Sequence, residues 1–290
     1  MTAVLVTGVS SGIGFAIAEG FVGRGQLVFG TVRSLADGAQ LRERLGENFV
    51  PLVADVTEPA TLAAAAKYIT THHPGLALVG LVNNAGIAIS GALLEQPIET
   101  FENHLKVNLV GPLNVVRAFA SLLSPVRGGS SSPGRIVNVS SAAGRFAAPF
   151  LGAYSASKHG LEGLSGSLRR ELLCMGIDVI VVAPGAVRTP IWDKSEAHSA
   201  QASPPTTEWP WAKARVAFEA MMLKRGRAGI EPAIVAETVI MALTSPNPKL
   251  RYAIGRSTNL VAALSSFLPT RLQDRLLARS LGLTPVQSSH

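Results

Sequence analysis

Short apolar runs that alternate with helical patterns constrain the fold of this chain more than any other feature. The runs lie at 3–7, 26–32, 49–54, 76–82, 135–139, 177–183 and 251–255. Most of them are continuously apolar, which is typical of strands that are covered on both faces. The helical patterns lie at about 15–23, 38–46, 59–71, 97–124, 153–175, 211–224 and 232–244. This alternation predicts an α/β fold with a doubly wound parallel sheet.

The chain contains no linker that would divide it, so we expect one domain over residues 1–290. Residues 189–225 follow the sixth strand and begin with a long stretch that breaks the regular pattern. Long irregular segments at the carboxyl end of a strand are often lids, and a decorative insertion is the alternative. The prolines of this stretch argue against a continuous helix through 189–209. Residues 256–290 are expected to form a C-terminal helical extension.

The composition excludes several classes of function. The chain is 47% hydrophobic and 16% charged, so it can bury a sizeable core. Its net charge of +7 is spread along the sequence, and aromatic residues make up only 6%. No stacking or groove-reading motif accompanies the charge, so we expect no nucleic-acid partner. A cofactor that carries several phosphates is a more economical use of those cations.

Cysteine usage and the N-terminus bear on compartment. Cys174 is the only cysteine, which excludes an intramolecular disulfide and a cysteine-based zinc site, and we expect no metal ion. The first eight residues reach a glycine turn without a basic segment, so they are not typical of a signal peptide. The sequence contains no uninterrupted apolar run of about 18 residues. These features predict a cytoplasmic protein.

A glycine-rich turn joins the first strand to the first helix. It reads G-V-S-S-G-I-G and contains Gly8, Gly12 and Gly14. Glycines let the backbone come close to a pyrophosphate, and the following helix supplies N–H groups and the positive end of its dipole. The spacing differs from the usual dinucleotide pattern G-x-G-x-x-G. A plain strand–helix turn is the alternative, but the strand–turn–helix context favours phosphate binding.

Tyr154 and Lys158 lie four residues apart in a helical pattern, so their side chains share one face. A tyrosine phenol has an unperturbed pKa of about 10. A lysine ammonium beside it favours the phenolate and lowers that pKa, which makes the tyrosine usable as a general acid or base. Ser141, at the end of the fifth strand, is placed to hold the substrate oxygen. An isolated Y-x-x-x-K pair is usually structural, so this assignment depends on the other motifs.

Several motifs in a fixed order carry a family resemblance. They are T-G-V-S-S-G-I-G at 7–14, N-N-A-G at 83–86, Asn108, Ser141, Y-S-A-S-K at 154–158 and P-G-A-V-R-T-P at 184–190. Together they resemble the short-chain dehydrogenase/reductase family over roughly residues 1–255. The resemblance implies a Rossmann fold, a nicotinamide cofactor and hydride transfer to or from a substrate carbon. The gap between Gly8 and Gly12 is similar to that of the family's shorter branch.

The resemblance implies a catalytic group of four residues. Tyr154 is expected to be the acid/base, and Lys158 is expected to lower its pKa and to bind the nicotinamide ribose. Ser141 is expected to hold the substrate oxygen, whereas the neighbouring Ser140 is expected to be structural. Asn108, within the helical stretch 97–124, is expected to hold a water in the proton relay.

The resemblance also implies a set of cofactor contacts. Asn84 is expected to brace the sheet beside the adenosine ribose, and Asp55 is expected to meet the adenine. Val187 and Thr189 are expected to contact the nicotinamide half. The full implied set is Gly8, Ser10, Ser11, Gly12, Ile13, Gly14, Arg33, Asp55, Val56, Asn84, Ala85, Gly86, Tyr154, Lys158, Pro184, Gly185, Val187 and Thr189.

The end of the second strand, T-V-R-S, bears on cofactor choice. NAD-dependent relatives place an acidic residue there for the ribose 2′-hydroxyl, whereas this chain has Val32 followed by Arg33. An arginine suits a 2′-phosphate by its charge and its fork geometry, and Ser10 or Ser11 can donate to the same phosphate. NADP(H) is therefore favoured and NAD(H) remains possible. A solvated loop cation is the alternative for Arg33.

A weaker resemblance indicates the substrate class. The segments F-G-T-V-R-S-L, 160–172 and R-Y-A-I-G are similar to the retinol- and steroid-dehydrogenase-like subgroup. This implies a small lipophilic alcohol or ketone as the partner, and hence an NADP(H)-dependent alcohol dehydrogenase or carbonyl reductase. An NAD-dependent alcohol dehydrogenase and a non-catalytic nicotinamide-binding sensor are the alternatives. The complete set of Ser141, Tyr154 and Lys158 argues against a sensor.

Relatives pair through two long helices, which implies a homodimer or homotetramer. In this chain those helices are 97–124 and 153–175. Their outer faces carry Leu113, Val116, Leu164 and Leu168, unless these side chains belong to the core.

The tail offers one further interaction. It carries Arg271, Arg275 and Arg279 at helical spacing among apolar residues. Contact of the tail with a membrane surface is possible but not favoured, because the enzyme motifs explain more of the chain.

Overall fold

The computed structural model describes residues 2–123, 133–202, 209–255 and 268–283. Seven parallel strands in this part of the chain form a sheet in the order β3-β2-β1-β4-β5-β6-β7. They are β1 (Thr2–Val6), β2 (Leu27–Val32), β3 (Phe49–Val53), β4 (Ala77–Asn83), β5 (Arg135–Val139), β6 (Val179–Pro184) and β7 (Arg251–Ile254). The predicted doubly wound parallel sheet is confirmed.

Helices cover both faces of this sheet. They are α1 (Gly12–Val22), α2 (Leu35–Leu45), α3 (Pro59–His72), α4 (Ile98–Leu105), α5 (Gly111–Leu123), α6 (Gly152–Glu171), α7 (Ile191–Ala202), α8 (Ala212–Arg227), α9 (Pro232–Thr244) and α10 (Thr270–Leu281). Short 3₁₀ turns at Ala142–Gly144 and Leu172–Met175 flank α6. None of the helices that the structure describes is long and apolar enough to cross a membrane.

Two apolar cores lie on opposite faces of the sheet, and β1 contributes to both. Ala3 and Leu5 pack with side chains of α3, α5 and α6, whereas Val4 and Val6 pack with side chains of α1 and α9. Successive residues of a strand point to opposite faces. Burial on both faces therefore explains why the strands are continuously apolar.

The helical stretch predicted over 97–124 is interrupted by a π-helical turn at Lys106–Val110. The turn places Asn108 at its centre, where the side chain is buried. Single π-helical turns of this kind are frequent at functional sites. The sequence analysis treated 97–124 as one helical stretch and did not predict this turn.

The prediction for the beginning of the lid was wrong in one respect. Helix α7 occupies Ile191–Ala202, where an irregular stretch was expected. This segment contains no internal proline or glycine, and Asp193 lies in its first turn, where the helix dipole stabilises a carboxylate. The prolines of the region lie on either side, at Pro190, Pro204, Pro205 and Pro210.

The side chains proposed to lie on the outer faces of the two long helices belong to the core. Val116 and Leu168 are buried in the cluster between the sheet and these helices, and Leu113 and Leu164 pack against it. They face inward because the sheet offers them an apolar surface. The predicted dimer or tetramer therefore has no support from these four residues.

Candidate active site

A cleft of about 300 Å³ lies at the carboxyl ends of the strands. Its walls are formed by the ends of β1 to β6 and the segments that follow them. The cleft includes the point where β1 and β4 are neighbours and the chain leaves the two strands in opposite directions. Such a switch point is where doubly wound sheets bind ligands. All of the cofactor contacts implied by the sequence line this cleft, apart from Gly14.

Gly14 acts behind the cleft wall, on the packing of the glycine turn. A Cβ atom at this position would lie 2.2 Å from the carbonyl oxygen of Gly8 and 2.4 Å from Asn84 Nδ2. Gly8 and Gly12 have φ values of +69° and +61°, in the left-handed region that favours glycine. The N-cap residue Ser11 makes no side-chain bond to the first turn of α1, whose N–H groups therefore keep their capacity to donate. This uncapped helix start fits the phosphates of a dinucleotide.

Thr7 and Asn84 connect the ends of β1 and β4. Asn84 Nδ2 donates to the carbonyl oxygens of Thr7 at 2.9 Å and of Gly8 at 3.1 Å. The backbone N–H groups of Asn84 and Ala85 both donate to Thr7 Oγ1 at 3.0 Å. These bonds hold the glycine turn and the N-N-A-G segment together at one edge of the cleft.

Three charged side chains line the cleft near the ends of β2 and β3. They are Arg33, Asp37 and Asp55. Burial raises the pKa of Asp55, but its hydrogen bonds from the Thr57 hydroxyl and N–H, with Arg33 and Lys106 nearby, lower it to below its usual value overall. Asp37 was not predicted to lie here. It is in the first turn of α2, which starts at Leu35, three residues before the predicted boundary.

Ser141, Tyr154 and Lys158 meet at the other end of the cleft. Ser141 follows β5 and begins the 3₁₀ turn, whereas Tyr154 and Lys158 lie in the first two turns of α6. Ser141 is close enough to the Tyr154 phenol to lower its pKa through a side-chain hydrogen bond. Lys158 Nζ donates to the carbonyl oxygen of Val139 at 2.9 Å and lies 5.9 Å from the centre of the Tyr154 ring. The spacing in the sequence predicted this grouping.

The expected effect of Lys158 on the phenol is corrected by the structure. Burial raises the pKa of Tyr154, and the hydrogen bond from Ser141 offsets only part of that rise. Burial also lowers the pKa of Lys158 to about 8, against the opposing attraction of the Glu162 carboxylate. Both groups lose hydration, which disfavours the phenolate and the ammonium alike, so the expected lowering of the tyrosine pKa is not found.

Asn108 lies behind the cleft wall. Its Nδ2 donates to the carbonyl oxygen of Ile87 at 2.9 Å and to Ser157 Oγ at 3.0 Å, and its Oδ1 accepts from the N–H of Ile87 at 2.9 Å. The side chain therefore ties the segment after β4 to α6. Its expected role in holding a water stays a prediction.

Helix α7 closes the cleft beside the Pro184–Gly185 turn. Ile191 and Trp192 line the cleft. Trp192 Nε1 donates to the carbonyl oxygen of Val187 at 2.7 Å. The indole ring lies against Gly226 of α8, where a Cβ atom would be 2.4 Å from it. Trp192 thus joins α7, α8 and the cleft wall, which its sequence pattern did not indicate.

An apolar cluster lies where the lid meets the start of α6. Phe150 packs on Phe218 of α8 with 5.7 Å between ring centres. The backbone of Phe150 has a φ of +62°, a left-handed conformation that costs a bulky residue about 1–3 kcal/mol. Trp211 and Leu281 pack against the same cluster, so the tail supplies part of the apolar cover that the lid was expected to need.

A buried ion cluster fastens α8 to the segment that follows β4. Arg215 is 1% exposed at its side chain; its Nη1 lies 2.8 Å from Glu95 Oε2 and its Nε lies 3.0 Å from Glu219 Oε1. Ser90 Oγ donates to the same Glu219 oxygen at 3.3 Å. Arginine is rarely this buried unless it is paired. The sequence contained no signal for this cluster, since its members lie in three separate stretches.

Comparisons with known proteins agree with this arrangement. The family model described as short chain dehydrogenase matches residues 2–200. The NADPH-dependent 3-dehydrocapnine reductase of Ornithobacterium rhinotracheale is 31% identical over 97% of this chain and 98% of its own. The 17-beta-hydroxysteroid dehydrogenase type 6 of Bos taurus is 35% identical over 96% of this chain and 88% of its own. Retinol dehydrogenase 5 of Homo sapiens is 34% identical over 94% of this chain and 87% of its own.

A solved structure is similar over the whole chain. The short-chain dehydrogenase from Streptomyces avermitilis superposes with a TM-score of 0.75 at 28% sequence identity. The match covers 99% of this chain and 99% of that one. The similarity therefore includes the lid helices and the sheet alike.

Proposed function

The chain belongs to the short-chain dehydrogenase/reductase family, within its retinol- and steroid-dehydrogenase-like group, and we propose that it transfers hydride between NADP(H) and a lipophilic alcohol or ketone. The observation that carries this proposal is the meeting of Ser141, Tyr154 and Lys158 at one end of a cleft. The other end of the same cleft holds the glycine turn and Arg33.

Tyr154 moves the proton in the proposed reaction. When a ketone is reduced, the phenol donates its proton to the oxygen of the substrate while Ser141 holds that oxygen by a hydrogen bond. The raised pKa of Tyr154 keeps the phenol protonated at neutral pH, which suits the role of an acid. For alcohol oxidation the same residue must first lose its proton and then acts as the base. Lys158 supplies a positive charge next to the phenolate that forms.

The cofactor proposal rests on fit at both ends of the cleft. The uncapped start of α1 and the close-packed glycines suit a pyrophosphate, and Arg33 suits a 2′-phosphate. When bound, the nicotinamide supplies or accepts the hydride. Among the similar proteins, the reductase from Ornithobacterium rhinotracheale is described as NADPH-dependent.

The proposed substrate class rests on the apolar residues of the lid. Phe218, Met221 and Met222 of the lid belong to or pack on the cluster that also contains Phe150, just before α6. Relatives described as steroid and retinol dehydrogenases are similar over most of the chain. We therefore propose a substrate with a large apolar body and one reacting oxygen.

A screen of ketones and secondary alcohols with NADPH, NADH and their oxidised forms tests the proposal. Turnover is followed at the absorbance band of the reduced nicotinamide. We expect reduction of lipophilic ketones with NADPH, and weaker activity on small polar ketones. Turnover of polar substrates alone would contradict the substrate class, and no turnover beyond that of a Tyr154→Phe control would contradict the enzymatic function.

A further inference from the structure

Glu162 and Arg251 lie behind Lys158, outside the set of catalytic residues described above. We propose that Glu162 is a positioning residue that keeps Lys158 in its cationic form, and that Arg251 limits how strongly it does so. This inference rests on the proposed function for its catalytic meaning. It makes a statement about Lys158 itself that can be measured in the protein without turnover.

The helix geometry places the carboxylate next to the lysine. Glu162 follows Lys158 by four residues on α6, so the two side chains lie one turn apart on the same face. The Glu162 side chain is only 15% exposed. A partly buried carboxylate acts on a neighbouring charge more strongly than a surface one, because less water screens it.

Arg251 of β7 fixes the position of this carboxylate. Its Nε lies 3.1 Å from Glu162 Oε2, and its Nη2 lies 3.1 Å from Glu162 Oε1, which is a forked contact. Arg145, after the 3₁₀ turn, lies farther away, at 3.8 Å from Oε2. Among the residues that the structure describes, Arg251 and Arg145 thus form ion pairs with Glu162 from neighbouring elements, and Lys158 lies one turn away on the same helix.

The space around Glu162 leaves its side chain little freedom. A Cβ atom on Gly144 would lie 3.0 Å from Glu162 Cγ and 2.7 Å from Ser140 Oγ. Glycine at position 144 therefore lets α6 and the 3₁₀ turn approach closely. The carboxylate is held by packing on one side and by the arginine fork on the other.

Lys158 needs such a partner because its own surroundings disfavour a charge. Burial lowers the pKa of its ammonium to about 8, and the attraction of Glu162 is what opposes that fall. The carbonyl oxygen of Val139 accepts a hydrogen bond from Lys158 Nζ, but it carries no net negative charge to balance the ammonium. The balance between Glu162 and Arg251 therefore decides how much of Lys158 is charged at physiological pH.

The test compares two variants that break the same ion pair from opposite sides. The side-chain resonances of carbon-13-labelled lysines are followed during a pH titration, and Lys158 is identified by its loss in Lys158→Arg. Glu162→Gln should lower the pKa of Lys158 by about one unit, because a neighbouring negative charge is removed. Arg251→Met should raise it, because the carboxylate keeps its charge and a cation is removed.

A purely structural ion pair makes a different prediction. Both variants would then shift the pKa of Lys158 in the same direction or leave it unchanged, and either result would overturn the proposal. The double variant, Glu162→Gln with Arg251→Met, is the folding control, since neither position of the Glu162–Arg251 pair then carries a charge without the other. If Glu162→Gln alone does not fold, Arg251→Met decides: an upward shift supports the proposal and an unmoved value overturns it.

Kinetics give a second reading of the same balance. In ketone reduction, kcat/KM should fall on the alkaline side as Lys158 loses its proton, and this limb should move to lower pH in Glu162→Gln and to higher pH in Arg251→Met. Absence of turnover in the wild type would contradict the proposed function but would leave the titration result standing. If the two variants shift the pKa of Lys158 in opposite directions but leave the alkaline limb of kcat/KM unchanged, the kinetic role of Glu162 and Arg251 is overturned.

Discussion

The two ends of the cleft are held together in different ways. At the end formed by β1 and β4, most contacts involve the backbone. Glycines pack against backbone atoms, and Asn84 donates hydrogen bonds to two carbonyl oxygens. At the lid, side chains dominate, with a buried arginine between two carboxylates and an aromatic pair that joins α8 to Phe150. The first region depends on glycines, which have no side chain, and the second depends on contacts between side chains.

This difference corresponds to two tasks, phosphate binding at one end of the cleft and substrate recognition at the other. Phosphate binding requires a fixed backbone, and any residue with a Cβ atom at Gly14 would disturb it. A substrate wall must instead be shaped by side chains, and the Arg215 cluster holds α8, which carries several of them, in place. We therefore expect changes in the lid to affect stability and substrate choice, and changes in the glycine turn to affect cofactor binding.

The largest expected effect on stability follows from Arg215→Met. It leaves Glu95, 8% exposed at its side chain, without the partner at 2.8 Å. Breaking a buried pair from one side costs about 3–5 kcal/mol in the free energy of unfolding. Urea denaturation of the wild type and the variant measures this difference.

Arg227→Met on the same helix is the matched control. Arg227 pairs with Asp193 at 3.0 Å, but both side chains are exposed, so the loss should be at most about 1 kcal/mol. Equal losses in the two variants would show that burial of Arg215 does not fasten the lid.

The next effect concerns cofactor choice at the other end of the cleft. Arg33→Ala should weaken NADPH relative to NADH, because a charge-assisted partner of a phosphate is worth about 1.5–3 kcal/mol. The ratio of kcat/KM for the two cofactors measures it. Asp37→Asn is the matched control: it removes a nearby negative charge and should keep or increase the preference for NADPH. A ratio that Arg33→Ala leaves unchanged would reject the role of Arg33.

A smaller effect on stability is expected from Gly14→Ala. The added Cβ atom would meet backbone at 2.2 Å, and overpacking of this kind costs about 1–3 kcal/mol. Cofactor affinity, measured by calorimetry, should fall with stability. Gly163→Ala in α6 meets no atom within 4 Å and should be neutral or stabilising. A Gly14→Ala protein that binds NADPH as the wild type does would show that the turn adapts.

The cofactor end of the site was largely predictable from the sequence. Glycines, the N-N-A-G segment and the Tyr154–Lys158 spacing are local patterns, and the sheet brings strand ends together by a general rule. The positions of the strands and of most helices along the chain followed from the apolar runs and the helical patterns, whereas the order of the strands in the sheet was not predicted. What local patterns could not provide was the sign of the pKa shift of Tyr154, which depends on burial by distant parts of the chain.

The lid was less predictable for a related reason. Its apolar content was visible, but helix α7, the Trp192–Gly226 contact and the Arg215 cluster depend on partners far away in sequence. A charged residue in a helical pattern is expected on the surface, and Arg215 lies inside. Whether the lid moves stays a prediction; hydrogen exchange should show α7 opening more readily than α8, which carries Arg215.

The smallest expected effect is a change in the free energy of unfolding with pH, and it arises at Lys158. The folded protein lowers the pKa of this lysine from 10.5 to about 8, so between these values the unfolded chain binds a proton that the folded chain does not. Stability therefore increases as pH rises from 8, by at most about 1.4 kcal/mol per pH unit from this group. Lys158→Met should remove that contribution, as thermal unfolding at pH 8 and 9.5 would show. If the stability of the wild type and that of Lys158→Met change with pH by the same amount, the lowered pKa of Lys158 is contradicted.

The central claim, that Tyr154 is the acid/base of a nicotinamide-dependent reaction, is tested most directly by Tyr154→Phe. On one preparation of this variant, the turnover rate and the affinity for NADPH are both measured. The account predicts a loss of about 10²–10⁴ in kcat, because only the phenol hydroxyl that carries the proton is removed, with an affinity for NADPH near that of the wild type. A variant that keeps most of its kcat would contradict it.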